Sequence, residues 1–234
     1  MGDWFKTIAR VRIVACALVT ALVQGVSFAA EPSADHIQPS HIVIGLDISA
    51  STPLVSSAPY AANVARTLAT MISALPPRSK VTLRTLGDYN PRDELIRQDW
   101  TISTLNRAED VAGIVQSVVG AIPSLVAKGR IRQQMTTNIL GFLQNMAQIV
   151  DCKAYRTDVV LLSDGMEDSP YVRLINTQAT LPLPPSSIFK DCEQLEILGI
   201  GSGSRDPRLT PYLRDQWGAW AKAAGFNSFT GLND

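Results

Sequence analysis

His41-Ile42-Val43-Ile44-Gly45-Leu46-Asp47-Ile48-Ser49-Ala50-Ser51 is the stretch on which the fold turns. From His41 to Leu46 it is a continuous apolar run, the pattern of a strand buried on both faces. Such strands belong to parallel sheets covered by helices on either side. The run then breaks into Asp47, Ser49 and Ser51. Residues two apart in an extended segment face the same way, so one carboxylate and two hydroxyls point toward one place.

The same arrangement recurs downstream. Thr157-Asp158-Val159-Val160-Leu161-Leu162 is a second buried strand, and it ends in Ser163-Asp164-Gly165. Leu195 to Ile200 reads as a third. Lys80 to Leu86 alternates Val81, Leu83 and Thr85 against Thr82 and Arg84, and a further strand is expected from about Glu94 to Ile102. Helical spacing covers Ser57 to Leu75, where Pro76-Pro77 stops it, then Ala108–Ile122, Asn138–Val150 and Pro207–Ala224. Phe226 to Phe229 is expected as a short last strand. Strands separated by helices predict a doubly wound α/β sheet, mostly parallel, with helices on both faces. No linker divides residues 41–230, so the Pro-rich stretch 181–187 reads as a loop.

Composition sets the outer bounds. Of 234 residues 46% are hydrophobic and 18% charged, with formal net charge +0. Disorder needs the opposite balance. No basic excess calls for nucleic acid. Gly and Pro show no repeat period.

Residues 1–30 have the layout of a secretory signal. Lys6, Arg10 and Arg12 precede an uncharged run from Ile13 to Ala30, closed by Ser27-Phe28-Ala29. Removal would leave a mildly acidic chain in a secreted or periplasmic setting. An uncleaved membrane anchor over residues 13–30 is the other reading. Cys16 follows Ile13-Val14-Ala15 as in a lipoprotein box, but most of the apolar run lies after it, so it reads as part of the signal. Residues 31–40 read as a short polar linker, and residues 41–234 as the domain.

Strand ends line the ligand crevice of open α/β sheets. Two carboxylates and several hydroxyls there suit a hard divalent cation, Mg²⁺ first and Mn²⁺ or Ca²⁺ otherwise. Asp47 and Ser49 alone would read as a helix-capping loop. Together, Asp47-Ile48-Ser49-Ala50-Ser51 and Val159 to Gly165 resemble the metal-ion-dependent adhesion site of von Willebrand factor type A domains. Thr136-Thr137-Asn138-Ile139 resembles that family's third element. The resemblance spans roughly residues 41–230. It implies a six-stranded sheet whose third strand is antiparallel. It implies metal contacts from Ser49, Ser51 and Thr137, with Asp47 and Asp164 acting directly or through water, and a protein partner supplying an acidic residue. Thr136 stands where the family has Gly, which leaves both Thr136 and Thr137 as candidates. Glu167 and Asp168 are extra acids, expected to be solvated; the other reading is a pull toward Ca²⁺ or Mn²⁺.

Enzyme readings find less support. A haloacid-dehalogenase-like metal phosphohydrolase using Asp47 needs Asp where Ser49 stands. Serine hydrolysis needs a base, and the two histidines, His36 and His41, lie in the linker and at the start of the first strand. Gly199-Ile200-Gly201-Ser202-Gly203 reads as a turn, and Trp217 and Trp220 as core. The expectation is a non-enzymatic, cation-binding interaction domain; an empty, purely structural site is the remaining alternative.

In the family's sheet the strands after Cys152 and Cys192 are parallel neighbours. The resemblance therefore implies a Cys152–Cys192 disulfide, two buried free thiols being the other reading.

Overall fold

The computed structural model describes residues 37–86, 95–185 and 187–233. The signal-like segment, Cys16 and His36 lie outside the described residues.

Strand β1 (Ser40–Asp47) is central. Beside it run β2 (Lys80–Leu86) and β4 (Arg156–Leu162), both parallel to it. Strand β3 (Arg97–Thr101) is antiparallel to β2, while β7 (Gln194–Leu198) and β8 (Ser228–Leu232) extend the other flank in parallel. The order is β3-β2-β1-β4-β7-β8. The chain thus builds outward from β1 in one direction, then returns to the other side of β1 with β4. That reversal makes β1 and β4 the switch point where a crevice opens beyond the carboxyl ends. The expected α/β fold, a six-stranded and mostly parallel sheet flanked by helices, is what the chain forms.

Alternation within the buried strands divides the core in two. Ile42, Ile44 and Leu46 of β1 pack with Val81, Leu83, Val160 and Leu162 under helices α1 (Pro53–Ser56), α2 (Ala58–Ser73) and α3 (Ala108–Ala127). Val43, Val159, Leu161, Leu195 and Ile197 face α4 (Ile139–Met146) and α5 (Leu209–Ala224). Gly45 lets the second face close. A Cβ there would lie 2.7 Å from Leu161, 2.8 Å from Leu86 and 3.0 Å from Phe142, so any side chain would force those side chains to shift. Trp217 and Trp220 are buried in this second layer, as core residues.

Several boundaries move for local reasons. Ser40 already pairs in β1 and Pro39 accepts a hydrogen bond from Arg156 N–H (3.1 Å), so the linker ends before residue 39. A separate turn of helix, α1, precedes α2, because Thr52 caps Leu54 N–H and Pro53 opens the first turn. Helix α3 runs through Pro123 to Ala127, beyond the expected stop at Ile122. Proline removes one donor, but Leu125 bonds and the apolar Val126 side chain on the core hold the last turn in place. A small hairpin, β5 (Glu167–Asp168) with β6 (Arg173–Leu174), was not expected; two-residue strands show no periodicity.

Cys152 and Cys192 are disulfide-bonded, with Cα atoms 4.8 Å apart, just before β4 and β7. The bond therefore joins the amino ends of neighbouring strands. The site described next lies at their carboxyl ends, about 20 Å away for a seven-residue strand.

Candidate functional site

The crevice is built from three segments. The first is the end of β1. The Asp47 carboxylate is fully buried; one oxygen accepts from Ser49 N–H (2.9 Å) and the other from the Ser163 hydroxyl (2.6 Å). The Ser49 and Ser51 hydroxyls lie 3.2 Å apart, so the two do converge. The second segment follows β4. Asp164 is also fully buried; its Oδ1 accepts from Met166 N–H (2.9 Å), and its Oδ2 accepts no hydrogen bond of good geometry, although the Ser51 hydroxyl is near enough to lower its pKa. Gly165 makes the turn at φ +75°, and its carbonyl is anchored by Trp217 Nε1 (2.8 Å).

The third segment is 134–137, between α3 and α4. Gln134 N–H donates to Ile48 carbonyl (3.1 Å), forming a one-residue parallel bridge with Ser49. Thr137 carbonyl accepts from Asp168 N–H (2.8 Å). The segment is therefore stitched to the first motif on one side and to the β5–β6 hairpin on the other. Together these walls enclose a pocket of about 250 Å³ lined by Ser49, Ser51, Gln134, Thr137, Met166 and Asp168 among others. Thr137 is a lining residue.

The electrostatics are those of a site short of positive charge. Burial, and then the charge of Asp164, push the Asp47 carboxyl up to about 7, against the pull of its Ser163 and Ser49 bonds. Burial likewise raises Asp164, while Met166 N–H and the Ser51 hydroxyl offset part of that. Tyr60 is raised by burial and then by the two aspartates. Among the described residues, no Lys or Arg lines the pocket.

Glu167 departs from its expected role. It is not solvated but fully buried, and its Oε2 accepts from Ile139 N–H (2.8 Å) and Leu140 N–H (3.3 Å). These are first-turn donors of α4, which a carboxylate satisfies well. Burial still pushes its pKa up to about 8, against the pull of the Ser169 hydroxyl and the two N–H groups, and Oε1 accepts no hydrogen bond of good geometry. Glu167 thus fixes the start of the helix that Thr137 precedes. Its neighbour Asp168 is the half-exposed one and pairs with Arg173 at 3.5 Å.

Whether a cation fits can be judged from the unmet bonding. Among the described residues, the buried side-chain atoms lacking a partner are Gln134 Oε1, Asp164 Oδ2 and Glu167 Oε1. All three are acceptor oxygens, and all three belong to the segments around this crevice. Buried acceptors without donors are costly, about 1–3 kcal/mol each. A hard cation would meet that need. No cluster of three His, Cys, Asp or Glu side chains occurs among the described residues, so the donor set is one of hydroxyls, an amide and two aspartates, suited to Mg²⁺ or Ca²⁺ and not to soft metals. His41, by contrast, sits at the opposite end of β1, its Nε2 3.0 Å from Thr82 Oγ1.

No family model matches the chain, and no curated protein sequence does. Among solved structures, the human COPII-coat protein Sec24c is similar over 83% of this chain and 29% of that one, at 11% identity and a TM-score of 0.39. The chain thus spans less than a third of that protein's length. So distant a likeness adds nothing to the strand order, which establishes the fold by itself.

Proposed function

We propose that this is an exported domain of the von Willebrand factor A type that binds a divalent cation and through it engages another protein. The observation that carries the reading is the set of partnerless acceptor oxygens around the β1/β4 switch point. Ser49, Ser51, Thr137 and Asp164 Oδ2 would hold the cation, with Asp47 acting through its neighbours or through water. When bound, the cation neutralises the Asp47–Asp164 repulsion and offers a Lewis-acidic position to a carboxylate of the partner. The domain needs no catalysis for this role. Export is supported by the signal-like segment and by a disulfide of the kind that persists in oxidising compartments.

A ligand that binds the native state alone stabilises it by about 2.7 kcal/mol at a hundredfold excess over its Kd. Saturating Mg²⁺, Mn²⁺ or Ca²⁺ is expected to raise the melting temperature of the mature protein by about 5–10 °C. Asp47→Ala should abolish the rise. Identical melts in EDTA and in millimolar amounts of each cation would overturn the proposal and leave a purely structural domain. Partner capture is expected to need the cation and to weaken in Thr137→Ala; capture unchanged in EDTA would place the interaction on another face.

A further inference from the structure

The three partnerless oxygens do not have the same standing. Asp164 belongs to the motif already assigned to the cation, and Glu167 spends one oxygen on the first turn of α4 and is absent from the pocket wall. Gln134 belongs to neither. It is 6% exposed, its Oε1 is buried without a partner, and it lines the pocket beside Ser49, Ser51 and Thr137. The backbone bond to Ile48 carbonyl and the bridge to Ser49 fix Gln134 against the end of β1, so its side chain starts from the pocket wall.

We infer that the Gln134 side-chain carbonyl is a further oxygen of the cation site, a positioning and binding residue outside the three sequence motifs. The inference rests on the cation reading above. Its physical ground is distinct. Gln134 Oε1 is buried and accepts no hydrogen bond from the protein, and Gln134 lines a pocket open to solvent, so its partner is a water or a hydrated cation. Amide carbonyls are ordinary ligands of Ca²⁺, and they also accept from the waters that Mg²⁺ keeps. Gln134 therefore adds a neutral oxygen to a site whose two carboxylates already repel one another, which strengthens coordination without adding charge.

A structural glutamine and a cation-site glutamine behave oppositely when altered. Removing an acceptor that makes no hydrogen bond relieves the apo protein of an unsatisfied group. The near-isosteric Gln134→Met should therefore melt no lower than wild type in EDTA, yet bind the cation at least tenfold more weakly. Gln134→Glu, which keeps the oxygen and adds charge, should bind it at least as tightly as wild type. The experiment is calorimetric titration of Mg²⁺ and of Ca²⁺ into wild type, Gln134→Met, Gln134→Glu and Asp47→Ala, with EDTA melts alongside. Tenfold loss for either ion in Gln134→Met, with Gln134→Glu retained, supports the inference. Unchanged affinity for both ions in Gln134→Met overturns it while leaving the cation site intact, as does a lower EDTA melt with unaltered affinity. Should Gln134→Met not fold, the role is structural and the inference fails. No binding by wild type itself removes the cation reading and this inference together.

Discussion

Replacing both bonded cysteines, as Cys152→Ala with Cys192→Ala, is expected to cost about 3–4 kcal/mol and to lower the melting temperature by about 10 °C. The bond closes a loop of 40 residues, which in the chain-entropy treatment restricts the unfolded chain by that amount. It fixes β4 against β7 at their amino ends, and the buried Cys192 packs in the second core layer, so a small cavity adds to the loss. The site lies at the other end of the same strands. Cation binding by the folded double variant should consequently match that of the wild type. Denaturant melts with and without reductant measure the first part, and titration of the variant the second. A stability change under about 1 kcal/mol would show that packing, not the covalent link, holds this edge. Two reactive thiols on alkylation of the unfolded, unreduced exported protein would show that the bond does not form.

Acid is expected to destabilise the fold through His41 by about 3 kcal/mol. His41 is 4% exposed, between Tyr155 on one side and Thr82 on the other. Burial, and then the nearby charge of Lys80, lower its pKa from 6.5 to about 4; Asp99 opposes this and Arg84 adds to it. The unfolded chain takes up a proton at pH 6.5, while the folded chain refuses it until about pH 4. Between those values the unfolded state holds more protons, so stability falls as pH drops through that window. Below pH 4 the loss is complete, and above pH 6.5 His41 contributes no slope. Asp99 works in the same direction at lower pH, since its bonds to Arg84 (2.6 Å) and Thr82 (2.9 Å) hold it down against partial burial. The measurement is the denaturation midpoint at pH 7 and pH 4.5 for wild type and His41→Gln. The variant should lose most of the difference. Equal acid sensitivity in the two would assign the effect to the carboxylates.

The sequence alone determined the layers and the strand ends at which the candidate site residues fall. The middle of a strand buried on both faces is apolar, so β1 and β4 are visible in the runs Ile42 to Leu46 and Val159 to Leu162, and the oxygens that follow them mark the carboxyl edge. Spacing also placed Ser49 and Ser51 together, because a two-residue period is a local property of extended backbone. The alternation at Val81, Leu83 and Thr85 located β2 equally well. Tertiary structure decided what depends on contacts between distant segments. Gln134 lies three residues from Thr137, an offset that puts them on opposite faces of an ideal strand; only the bridge to Ser49 brings both to one pocket. Glu167 and Asp168 are alike as adjacent acids, yet one is buried under the start of α4 and the other is half-exposed beside Arg173. That choice is made by which side of a two-residue strand meets helix N–H groups supplied from 28 positions away. Helical spacing ends at Ile122, and α3 passes Pro123 with the partly buried Val126 packed against the core. Local patterns report backbone period and burial, whereas the identity of a buried polar group's partner is fixed only when the chain has brought that partner to it.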